Sequence, residues 1–180
     1  QSVFNQTDFN YTINAGAGQD TVHAGAGDDT IDGGPGGDLL SGGPGSDTYL
    51  FARGSGADSI SDANGSKFSG TGEGLNTIKF ASGIAPTDVS LTRSGSSLQI
   101  AISGGTDALS VGQWFDQDDS RGTLRFVFAD GLVWDAETIA RRSVPHVLQQ
   151  SAFWGTPEAD VPASGNQGGS LYGVAGNDRL

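Results

Sequence analysis

The stretch Ala15–Leu50 reads AGAGQDTVH, AGAGDDTID, GGPGGDLLS and GGPGSDTYL, four nonapeptides in register. Each copy has Gly at its second and fourth positions, Asp at its sixth and an apolar residue at its eighth. The acidic series is Asp20, Asp29, Asp38 and Asp47, and the apolar series is Val22, Ile31, Leu40 and Tyr49. A Gly-rich linker needs no such phase, so the fixed offsets point to an ordered repeat rather than flexible coil.

Alternate glycines let the backbone take positive φ and turn carbonyls inward, which residues carrying a Cβ resist. Such a turn is a ring of oxygens, and the Asp closing each copy adds a charged one. An oxygen-only cage suits a hard cation, Ca2+ rather than zinc. The three remaining residues make one short strand with its middle side chain facing inward. Two copies then form one coil of a flattened right-handed spiral. Turns on one edge recur every second copy, pairing 15–20 with 33–38 and 24–29 with 42–47, each pair able to hold ions between its layers.

At these residues the chain resembles the calcium-binding nonapeptide arrays of RTX proteins, whose pattern is GGxGxDxUx with U large and apolar. Ala15 and Ala24 replace the first Gly, and Pro35 and Pro44 take the free third position. The resemblance implies Ca2+ ligands from the carboxylates of Asp20, Asp29, Asp38 and Asp47. It also implies turn carbonyls from Ala15 through Gly18 and the matching positions of later copies, among them Ala15, Ala17, Gly18, Ala24, Ala26, Gly27, Gly33, Gly34, Gly36, Gly43 and Gly45. It further implies export by type I secretion with an uncleaved C-terminal signal, hence an extracellular location. The chain ends inside a repeat at Leu180, which leads us to expect a piece of a longer exported protein.

The net charge of -12 argues against nucleic acid and anionic membrane as direct partners. Bound Ca2+ offsets that charge; without it the repeat carboxylates repel and the glycines cost much backbone entropy on ordering, so the array is expected to be unfolded until calcium arrives. The absence of cysteine excludes a disulfide scaffold, a zinc-thiolate site and a thiol nucleophile. No apolar run is long enough to span a bilayer.

Before the array, Phe9, Tyr11 and Ile13 alternate with polar residues, and Ile13 stands in phase with Val22, the pattern of a capping strand layer. After Tyr49, Gly54, Gly56, Asp58, Ile60 and Asp62 repeat the order over a longer turn, a wider ion loop with Asp58 and Asp62 as candidate ligands. Alternatively, Arg53 pairs with one of these carboxylates in place of a cation. Ser61–Gly74 reads as a polar loop. From Leu75 onward, NTIKF, DVSLTR, SLQIAI, ALSVGQWF, RFVFA and LVWD read as strands, with hairpin turns at Ser94-Gly95 and Asp130-Gly131. Trp114, Phe115, Phe126, Phe128 and Trp134 supply aromatic mass, and Asp135 N-caps a short helix ending in Arg141 and Arg142. Residues 153–180 return to nine-residue phase with few ligand positions kept.

Residues 42–142 resemble the last repeat block and flank of the bacterial adenylate cyclase toxins, and also the haemolysin-type calcium-binding related domain found beside many RTX arrays. That likeness implies a cap on the spiral. The expected fold is therefore all-β: a parallel β-roll with an N-terminal capping strand (1–62), a small antiparallel β flanking domain with a short helix (63–143), and a linker with the degenerate start of a second array (144–180).

Catalytic chemistry is poorly represented. His23 and His146 read as solvated, no GxSxG or HExxH motif occurs, and Asp116, Asp118 and Asp119 sit in one loop rather than across a cleft. We therefore expect no enzyme. Two functions follow: a calcium-responsive structural module, monomeric in isolation, and a binding module for a host-cell receptor or surface glycan.

Overall fold

The computed structural model describes residues 2–4, 9–61, 74–115, 124–143, 153–154 and 171–172. They fall into two compact units, Gln1–Pro145 and His146–Leu180. The fold is all-β with a parallel β-roll at its N-terminal end, as the repeat period predicts.

In the first unit every nonapeptide yields one short strand. These strands are β1 (Ser2–Phe4), β2 (Thr12–Asn14), β3 (Thr21–His23), β4 (Thr30–Asp32), β5 (Leu39–Ser41), β6 (Thr48–Phe51), β7 (Ala57–Ile60) and β8 (Asn76–Phe80). Odd-numbered strands build one sheet and even-numbered strands the other, every neighbouring pair parallel. Ile13 lies opposite Ile31, Ile31 opposite Tyr49 and Tyr49 opposite Ile78. In the other sheet Val22 lies opposite Leu40 and Leu40 opposite Ile60. The eighth-position residues thus form the two inner faces, as alternation along a strand requires. Thr21, Thr30 and Thr48 are half-buried, because layers stack on both sides of them.

The flank extends these same sheets. Its strands are β9 (Val89–Ser94), β10 (Ser97–Ile102), β11 (Ala108–Val111), β12 (Leu124–Val127) and β13 (Val133–Trp134), followed by helix α1 (Ala136–Ser143). The sheet orders are β1-β3-β5-β7-β11-β10-β9 and β13-β12-β8-β6-β4-β2. The expected antiparallel pairing occurs in β9–β10, β10–β11 and β12–β13. Parallel stacking nevertheless continues past residue 62, through β11 on β7 in one sheet and β8 on β6 and β12 on β8 in the other. Helix α1 packs on β9, β12 and β13, touching both sheets. Asp135 caps it, its Oδ1 accepting the Thr138 N–H at 2.8 Å. Among the described residues no helix is long and apolar enough to cross a membrane.

The flank supplies the bulk that three-residue strands lack. Phe80 meets Phe51, Phe126 and Phe128 at centroid distances of 6.3, 5.5 and 5.0 Å, and Phe128 reaches Trp134 at 5.0 Å. The Arg142 guanidinium lies 4.1 Å over the Trp134 ring. These rings join Ile13, Val22, Ile31, Leu40 and Tyr49 in a single buried cluster. In the second unit β14 (Phe153–Trp154) pairs in parallel with β15 (Leu171–Tyr172), one two-repeat step apart like Ile13 and Ile31. The other tail residues, including Asp160 and Asp178, lie outside the described residues.

Phe80→Ala should lower the unfolding free energy of the calcium-loaded chain by about 3–5 kcal/mol, the range for a truncated core Phe. Leu132→Ala, at an exposed hairpin tip, should stay within about 0.5 kcal/mol of wild type. Urea titration of both variants checks this, and equal losses would contradict the placement of the core.

Candidate metal centre

The turns between strands stack as closely as the strands. Gly18 N–H donates to the Pro35 carbonyl at 2.9 Å, Gly27 N–H to Pro44 at 2.9 Å and Gly36 N–H to Ser55 at 2.8 Å. The third position of a turn thus serves as an acceptor, which is why proline is accommodated at 35 and 44. Gly34 has φ 82°, and a Cβ there would strike the Gly16 carbonyl oxygen. A Cβ at Gly36 would strike the carbonyl oxygen of Gly18. Carbonyls of one turn therefore lie directly against the glycines of the next, and a side chain would force the layers apart.

The sixth-position carboxylates tie the layers together. Asp20 N–H donates to Asp38 Oδ1 at 2.9 Å, eighteen residues on, and Asp29 N–H to Asp47 Oδ1 at 2.9 Å. Asp38 N–H continues the first column to Asp58 Oδ1 at 2.9 Å, a step of 20 residues that accommodates the wider turn. Tyr11 N–H begins the second column on Asp29 Oδ1 at 2.7 Å, and Asp47 N–H ends it on Asn76 Oδ1 at 2.8 Å.

Asp29, Asp38, Asp47 and Asp58 thus each spend one oxygen on the layer below. The second oxygens of Asp29 and Asp38 are buried and accept no hydrogen bond. The Asp38 Oδ2 lies over the Cα of Gly33, in space that a Cβ would fill. A buried anionic oxygen with no donor is costly unless a positive charge faces it. Among the described residues no three His, Cys, Asp or Glu side chains converge. A cation held here would take many of its ligands from turn carbonyls, the donor set of a hard ion such as Ca2+. The residues present fit that ion.

Burial pushes the carboxyls of Asp29 and Asp38 above their ordinary range, with like-charged Asp neighbours adding to the shift. Asp58 is pushed up to about 6, first by burial and then by the charges of Asp38, Asp107 and Asp32.

The candidate residues sort onto two edges. Asp20, Asp38 and Asp58 share one with Ala15, Ala17, Gly18, Gly33, Gly34 and Gly36. Asp29 and Asp47 share the other with Ala24, Ala26, Gly27, Gly43 and Gly45. Asp62, Asp116, Asp118, Asp119 and His146 lie outside the described residues. Arg53 does not stand in for a cation at Asp58. Its guanidinium donates to the Gly83 and Ser103 carbonyls at 2.7 Å each and pairs with Asp88 at 2.9 Å.

The Gly16 and Gly25 carbonyls, within the turn stretches expected to supply ligands, lie against Gly34 and Gly43. Two features escaped the sequence reading. Asp107 accepts the N–H groups of Gly54 and Gly56 at 3.0 Å each, so a flank side chain completes the wide turn. Asn76 takes the place of an Asp in the second column. Its signal was present: residues 71–79 read TGEGLNTIK, with Gly at the second and fourth positions and Ile at the eighth.

The Asp58 shift fixes the sign of a pH effect. Its unfolded counterpart titrates near 3.8, so between about pH 4 and 6 the metal-free folded chain holds a proton that the unfolded chain has released. Stability of the metal-free fold therefore falls as pH rises through that window. In chelator, β-structure measured by circular dichroism should increase from pH 7 to pH 5, and Asp58→Asn should flatten the rise. A loss of structure over the same interval would contradict the assignment.

Residues 14–49 match the family model of the RTX calcium-binding nonapeptide repeat, in four copies. Residues 98–138 match the model of the haemolysin-type calcium binding protein related domain. No curated protein matches the chain. The chain thus carries four RTX repeats, of the kind that binds Ca2+, in the roll whose turns face buried carboxylates, together with a haemolysin-type related domain in the flank.

Proposed function

We propose that this chain is a calcium-responsive structural module of a secreted bacterial protein, unfolded during type I export and folded by Ca2+ outside the cell, with residues 63–143 capping the roll. The observation carrying this reading is the buried, unbonded Oδ2 of Asp29 and of Asp38. The matched repeat is a structural calcium-binding module. The likeness of the flank to that of adenylate cyclase toxins supports the capping role, as does the continuity of both sheets into β8 and β11.

Three facing pairs of turns carry an Asp in each layer. Asp20 with Asp38 and Asp38 with Asp58 lie on one edge, and Asp29 with Asp47 on the other. Each pair would hold an ion with turn carbonyls from its two layers. The bound ion supplies positive charge that compensates carboxylates too buried to be solvated. The chain's own part is to bring those oxygens together and exclude water. In the calcium-poor cytosol the uncompensated carboxylates oppose stacking, whereas extracellular modules commonly bind Ca2+ at roughly 10^-4 to 10^-3 M.

Circular dichroism should show a largely disordered chain in chelator and a β spectrum in millimolar calcium. Native mass spectrometry of the loaded chain should count three ions. Asp38→Asn, altering a carboxylate shared by two pairs, should lose two, and Asp47→Asn should lose one. Identical spectra with and without calcium, or equal ion losses in the two variants, would contradict the proposal.

A further inference from the structure

Asn76 occupies the place of a ligand in a layer that is otherwise built as a repeat. The β6–β8 register sets Thr77 opposite Thr48, so Asn76 stands over Asp47. Asn76 is buried, at 5% exposure, and its Oδ1 accepts the Asp47 N–H at 2.8 Å. This is the bond that Asp38 Oδ1 makes to Asp20 N–H and Asp47 Oδ1 to Asp29 N–H. The approach is close: Leu75 N–H donates to Ser46 Oγ at 3.1 Å, and a Cβ on Gly74 would strike that hydroxyl. In TGEGLNTIK the glycines and the apolar position are kept, and the sixth residue is an amide where the four repeats have an acid.

We infer that Asn76 ends the calcium column on the β2–β4–β6–β8 edge, presenting an amide N–H where the layers beneath present a carboxylate oxygen. An Asp in the column has one oxygen for the backbone below and a second, anionic oxygen for a cation. Asn has one oxygen, already committed to the Asp47 N–H, so the group left beside the cage is NH2, a donor with partial positive charge. A cation is repelled by such a group, and the turn 42–47 faces a layer that binds its backbone without offering it an ion.

The opposite edge ends by different means. There Leu109 stands opposite Asp58, with no side-chain oxygen, and Asp107 supplies the acceptor for the turn's N–H groups. Both columns therefore stop where the aromatic core begins, and the layers beyond are held by apolar packing rather than by metal.

The inference rests on the calcium reading of the roll, and the test separates the two. Native mass spectrometry of the full chain in calcium should show Asn76→Asp holding one more ion than wild type. Its unfolding midpoint should be higher than wild type in calcium and lower in chelator, where the added carboxylate is uncompensated. Asn76→Ala should hold the wild-type number of ions. A folded Asn76→Asp with no additional ion would overturn the inference, as would loss of an ion from Asn76→Ala, which would make Asn76 a ligand. Should Asn76→Asp not fold, the Ala variant's count alone decides. A wild type that binds no calcium would overturn the underlying reading as well.

Discussion

A backbone N–H of one layer held by a carboxylate oxygen of the next, eighteen residues on, is the contact on which this molecule depends. It fixes the stagger of successive turns and draws each Asp under cover, and in doing so it leaves the second oxygens of Asp29 and Asp38 facing inward with no hydrogen-bond donor. Burying an unpaired carboxylate ordinarily opposes folding. Here one such oxygen stands in each of the two columns, and under the proposed function positive charge entering between the turns is what offsets its desolvation.

Glycine makes the contact geometrically available. The carbonyls of Gly16 and Gly18 lie against Gly34 and Gly36, where a methyl group would hold adjacent turns apart. The apolar share of each layer is small, with one inward side chain per three-residue strand. Stacking alone gives a thin core. The flank compensates by setting Phe126, Phe128 and Trp134 beside Phe80 of β8 where the roll ends. Arg53 and Asp107 fasten the last wide turn to that flank from opposite directions, one donating to flank carbonyls and the other accepting turn N–H groups.

The roll was legible because its period is written in three residue types at once, and Ile13, Ile31 and Tyr49 fall in one row as the spacing required. Helix α1 and its Asp135 cap were legible for local reasons as well. What the sequence concealed was long-range. Asp107 reaches a turn 51 residues earlier, through a pairing that no local pattern announces. Arg53 sits beside an acidic loop in sequence yet pairs with Asp88, because the flank approaches from the other side. Asn76 was passed over because the repeat was sought through its Asp, the one feature this copy lacks.

The central claim is that the inward oxygens of the repeat aspartates face a calcium ion. A crystal structure of the chain grown in calcium tests it most directly. The account predicts strong density roughly 2.3–2.6 Å from Oδ2 of Asp29 and of Asp38, the usual span of a Ca2+–oxygen bond. Those two oxygens found hydrogen-bonded to water or protein donors, with no ion between the turns, would contradict it.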